Sequence, residues 1–88
     1  MDPSFEVFDL PERLVIAPSS GRIALPSREL RAVEGEYVLA GESVADVRLG
    51  DGRMVPIRTP FPGWVMGFLV LDGQPISPGA PVAWLRVM

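Results

Sequence analysis

The sequence predicts an all-β domain made of two similar sheets related by a pseudo-twofold axis. Three features predict it: an internal repeat covering most of the chain, short apolar runs cut by turn residues, and many helix-breaking residues. Nine Gly and ten Pro stand among 88 residues, and Pro removes a backbone donor and clashes with the preceding helical turn. Hydrophobic residues make up 48% of the chain and charged residues 22%, an ordinary globular composition. The length suits one small domain, and a chain this short has a thin core.

Residues 1–13 read as an N-terminal arm outside the repeat, with Phe5, Val7, Phe8 and Leu10 as its apolar members. The domain proper is expected over 14–88, as halves 14–49 and 54–88 joined by a hairpin at 50–53. Val15-Ile16-Ala17-Pro18-Ser19-Ser20-Gly21-Arg22-Ile23 matches Ile57-Arg58-Thr59-Pro60-Phe61-Pro62-Gly63-Trp64-Val65 at an offset of 42. Further on, Val33-Glu34-Gly35-Glu36-Tyr37-Val38-Leu39-Ala40-Gly41 matches Leu71-Asp72-Gly73-Gln74-Pro75-Ile76-Ser77-Pro78-Gly79 at an offset of 38. Val44-Ala45-Asp46-Val47 then matches Val82-Ala83-Trp84-Leu85 in the same register. The change of offset places a four-residue insertion around Pro26 to Ala32. It fits either one helical turn capped by Ser27 or a surface loop.

Turn residues punctuate each half. Pro18, Pro60, Gly21, Gly63, Gly35, Gly73, Gly41 and Gly79 read as turn geometry rather than ligand contacts. Gly50-Asp51-Gly52-Arg53 lies between the halves, and Asp-Gly flanked by apolar residues predicts a hairpin with a type I′ turn.

Composition excludes much chemistry. The chain has no Cys and no His, and all eight basic residues are Arg, so it has no Lys. Thiolate chemistry, imidazole base catalysis and side-chain amine chemistry are therefore absent. Carboxylates remain, and paired carboxylates can hydrolyse glycosides, yet so small a domain offers little room for an enclosing cleft. No enzymatic activity is expected. Residues 1–49 carry nine acids and five Arg, and residues 50–88 carry two acids and three Arg. No basic cluster suited to nucleic acid is visible. The acidic set Glu34, Glu36, Glu42 and Asp46 fits no ligand loop and reads as a solvated face, so no metal is expected. The longest apolar run, Trp64 to Leu71, is far shorter than the ~20 residues of a membrane span. Asp2, Glu6 and Asp9 have the wrong charge for a secretory leader, and a cytoplasmic location is expected.

Pro60-x-x-Gly63-x-Val65, then Phe68-Leu69-Val70-Leu71-Asp72-Gly73-Gln74-Pro75-Ile76, then Gly79-x-x-Val82, resembles the biotinyl/lipoyl carrier domains. The first half, from Ala17-Pro18 through Gly35, Val38 and Gly41 to Val44, fits the same pattern, so the resemblance covers residues 14–87. It implies a flattened barrel of two four-stranded sheets, the barrel-sandwich hybrid. Such carriers hold their cofactor on a Lys at the hairpin tip, and the corresponding count back from Gly63 lands on Gly52. Arg53 beside it stays protonated and is no nucleophile. The chain is therefore expected to hold no covalent biotin or lipoate and to need no cofactor.

Five residues stand out as interaction candidates: Asp51, Gly52 and Arg53 at the tip, and Trp64 and Trp84. The tip fits a projecting recognition loop or an ordinary solvated hairpin. Val65 pairs with Ile23 and Leu85 with Val47 as core positions, so alternation points Trp64 and Trp84 outward. Such aromatics fit a contact surface for a protein partner or a second copy, or a face covered by the chain's own arm. The leading expectation is a non-catalytic adaptor module. A domain that binds a small molecule at the mouth between the sheets, and an assembly module of a larger complex, remain the alternatives.

Overall fold

The computed structural model describes residues 12–25 and 35–87. They form eight strands and no helix: β1 (Glu12–Ile16), β2 (Gly21–Ala24), β3 (Tyr37–Val38), β4 (Ser43–Arg48), β5 (Met54–Arg58), β6 (Gly63–Phe68), β7 (Pro75–Ile76) and β8 (Pro81–Arg86). Two antiparallel four-stranded sheets result, ordered β1-β8-β6-β3 and β5-β4-β2-β7. Residues 1–11 of the arm, its apolar members included, and the insertion from Pro26 lie outside the described residues, as does Glu34. Strand β1 begins at Glu12, two residues before the expected start of the domain at 14.

The strand order carries the pseudo-twofold. Exchanging β1 with β5, β2 with β6, β3 with β7 and β4 with β8 turns one sheet into the other. The sheets do not correspond to the halves, however. The first sheet takes β1 and β3 from the first half and β6 and β8 from the second. Connecting bonds repeat under the same exchange. Gly41 N donates to Thr59 O at 2.7 Å, as Gly79 N does to Ala17 O at 2.8 Å. Val65 N donates to Glu36 O and Ile23 N to Gln74 O, both at 2.8 Å.

The core follows the same rule. Val15 and Ile57, Ile23 and Val65, Val38 and Ile76, Val44 and Val82, Ala45 and Ala83, and Val47 and Leu85 are matched pairs, all buried. Ala17 is matched by buried Thr59, whose Oγ1 donates to Phe61 O at 2.6 Å. That bond offsets the cost of burying a hydroxyl. A register shift between β4 and β5 at Ser43/Ala45 recurs between β1 and β8 at Val15/Ile16. These bulges explain why Val44-Ala45 and Val82-Ala83 are consecutive buried residues, which strict alternation forbids.

Two local expectations are corrected. Gly52 has φ 90°, but among the described residues none other than Gly has positive φ, so Asp51 cannot occupy a type I′ turn. Gly52 N donates to Leu49 O at 2.9 Å and Leu49 N to Arg53 O at 2.8 Å. This is a type I turn followed by a left-handed Gly, the three-residue hairpin with a bulge. Gly21 and Gly63 are not turn glycines either; they open β2 and β6. A Cβ on Gly63 would sit 2.7 Å from Arg86 O, and one on Gly21 would meet Arg48 O and lie 2.6 Å from Val47 Cγ1. Both are close backbone approaches where any side chain collides. Gly41, Gly73 and Gly79, with φ between 80° and 89°, keep their turn role.

Gly21→Ala and Gly63→Ala should each lower unfolding free energy by about 1–3 kcal/mol, as overpacking does. Gly50→Ala, with nothing within 4 Å of its added Cβ, should change it by less than about 0.5 kcal/mol. Urea denaturation of the three variants measures the difference.

Candidate functional site

The hairpin between β4 and β5 projects the tip residues, and Asp51 organises them. Its Oδ1 accepts from Arg53 N at 3.0 Å, and its Oδ2 pairs with Arg53 Nε at 2.5 Å. Both side chains remain largely in water, at 52% and 75% exposure, so the pair is worth little in stability. It does neutralise the tip locally. The positive charge that the sequence places there is already met by its neighbour two residues away.

Trp64 and Trp84 lie on β6 and β8, adjacent strands of one sheet, and both are half-buried. Trp64 stands opposite Tyr37 of β3, with ring centroids 4.9 Å apart and planes at 72°. This edge-to-face arrangement suits the aromatic quadrupole. Tyr37 belongs to the first half of the chain, and its part in this face was not identified from the sequence. A useful signal would have been its match to Pro75, an aromatic set against an imino acid in otherwise similar repeats.

Trp84 stands between Leu14 of β1 and Gly67 of β6. In the other sheet Ala24 pairs with Asp46, so symmetry would set Met66 opposite Trp84. A register shift between Val65 and Gly67 sets the residue without a side chain there instead. The outer face of this sheet thus carries Leu14, Trp84, Trp64 and Tyr37, flanked by an Arg86–Glu12 ion pair at 3.7 Å. The equivalent positions on the other sheet are Pro56, Asp46, Arg22 and Pro75. The symmetry that holds in the core is broken outside, where one face is aromatic and the other polar.

A shallow groove of about 600 Å³ lies between the edges of the two sheets, lined by Leu14, Ile16, Gly41, Arg58, Thr59, Pro60 and Phe61. Arg58 Nη1 donates to Gly41 O at 2.9 Å. Among the described residues no group of three or more carboxylates is placed to hold a metal ion. No helix there is long and apolar enough to cross a membrane.

No family model and no curated protein matches the sequence. Solved structures with this fold include urea carboxylase of Kluyveromyces lactis, at TM-score 0.72 and 23% identity over 84% of this chain and 6% of that one. Another is a single-chain, multi-domain long-chain acyl-CoA carboxylase, at TM-score 0.71 and 19% identity over 89% of this chain and 7% of the other. At these identities the likeness establishes the fold. The chain corresponds to a small part of each large enzyme.

In a double-mutant cycle, Tyr37→Leu and Trp64→Leu should show a coupling of about 0.5–1.5 kcal/mol. Thermal or urea unfolding of the two single variants and the double variant measures it.

Proposed function

We propose that this chain is a non-catalytic protein-interaction module on a carrier-like scaffold, working without a covalent cofactor. The observation that carries the reading is the one-sided break in symmetry. Matched core positions conserve their chemistry across the repeat, while Trp64 and Trp84 replace Arg22 and Asp46 on one outer face. Half-buried aromatics clustered on the outer face of a sheet are the kind of residue that anchors interfaces. The absence of Lys from these 88 residues supports the cofactor-free part, because amide attachment needs a side-chain amine. The small share of each carboxylase that this fold occupies supports a role inside a larger assembly. Asp51, Gly52 and Arg53 form a secondary contact of smaller weight, since Asp51 already holds Arg53.

The chain carrying Trp64→Ser and Trp84→Ser should lose its partner in native complexes from source cells by at least about tenfold, a loss of ~1.4 kcal/mol. Arg22→Ser, at the equivalent site on the opposite sheet, should retain it. Intact mass after expression with biotin and lipoate should equal that of the bare sequence. Equal recovery of a folded double variant would count against the aromatic face. An added biotinyl or lipoyl mass would end the cofactor-free reading.

A further inference from the structure

β1 and β5 are equivalent edge strands, each the outermost strand of its described sheet. An open edge presents main-chain donors and acceptors that template another strand. On β5 this is blunted by Pro56 at its centre, since Pro in an edge strand leaves no N–H on the open side. The equivalent residue of β1 is Leu14, and Glu12–Ile16 contains no Pro. Leu14 keeps the N–H that Pro56 lacks.

The surroundings of β1 differ in the same sense. Leu14 and Ile16 are 54% and 53% exposed, a large apolar area on a strand whose exposed charges, Glu12 and Arg13, stand at its start. Both line the groove that continues to Pro60 and Phe61. Its one charged lining residue is Arg58, and no carboxylate lines it. Arg58 uses Nη1 on Gly41 O, and a guanidinium has five N–H donors in a planar fork matched to a carboxylate.

We propose that the β1 edge takes up an extended peptide segment of a protein partner as an added strand. Apolar residues at alternate positions lie against Leu14, Ile16 and Phe61, and a carboxylate of the segment pairs with Arg58. Main-chain bonds along Glu12–Ile16 supply affinity, and the groove selects the side chains, as in other strand-addition complexes. This rests on the interaction-module reading but names the strand edge beside the aromatic face, with Leu14 common to both.

The test titrates the full chain with the blocked peptide Thr-Val-Thr-Val-Thr-Val-Asp while amide chemical shifts are followed by NMR. Saturable shifts at residues 12–16 and 58–61 are expected. The same peptide ending in Asn should bind about two- to fivefold more weakly, the effect of one exposed ion pair. Leu14→Pro should still fold, because Pro56 occupies the equivalent position, and should weaken binding at least about tenfold. Ile16→Glu places a carboxylate at an exposed groove position and should weaken it comparably, which keeps the test valid if Leu14→Pro fails to fold. The Trp64→Ser chain, altered two strands away from β1, should bind the peptide as the parent does, so failure of the aromatic-face reading registers separately. Absence of saturable shifts at β1, or undiminished binding by a folded Leu14→Pro chain, would overturn the proposal. So would a concentration-dependent dimer abolished by Leu14→Pro, since a second copy would then own the edge.

Discussion

The halves of the chain cannot finish their sheets alone, because the strands that complete each sheet come from the other half. Four of the six pairings, β1 with β8, β2 with β7, β3 with β6 and β4 with β5, join one half to the other. Only β2 with β4 and β6 with β8 are internal to a half. In those two pairs the strands approach too closely for a Cβ, at Gly21 against Arg48 and Gly63 against Arg86. The core, the hairpin and the two faces all depend on that approach, since a side chain at either Gly would push the central strands apart.

Inside this frame, symmetry is a packing requirement. Each matched pair fills equivalent space in one shared core, and small domains tolerate little loss of packing. The substitution of Thr59 for Ala17 is accommodated because the hydroxyl bonds to Phe61 backbone within its own turn. Outside, nothing enforces the match. The sheet with Trp64 and Trp84 acquires its aromatic face through Tyr37 and through the bulge that brings Gly67 beside Trp84. The other sheet keeps Arg22 and Asp46. The same freedom separates the edges, with Pro56 on one and Leu14 on the other.

Much of this was legible in the residues. The repeat gave the matched core positions, the resemblance to carrier domains implied two four-stranded sheets, and the outward placement of Trp64 and Trp84 followed from alternation. The tip was less legible. Asp51-Gly52 suggests a type I′ turn by composition, but the chain turns one residue earlier, with Gly50 and Asp51 central, and leaves Gly52 to absorb the positive φ. Gly21 and Gly63 looked like turn residues because Pro-x-x-Gly precedes turns often. Their reason for being Gly is a carbonyl from a strand distant in sequence, which no local pattern announces.

The sequence by itself determined the all-β class, the repeated core and the absence of Lys, because period, apolar matching and residue identity are local properties. Tertiary structure alone decided that the halves interleave, that Tyr37 joins Trp64, that Gly67 faces Trp84, and that β1 stands at the edge of its described sheet. Each of those is a juxtaposition of segments far apart along the chain. It is fixed by register and sheet order, which depend on how the whole core closes rather than on any one stretch of residues.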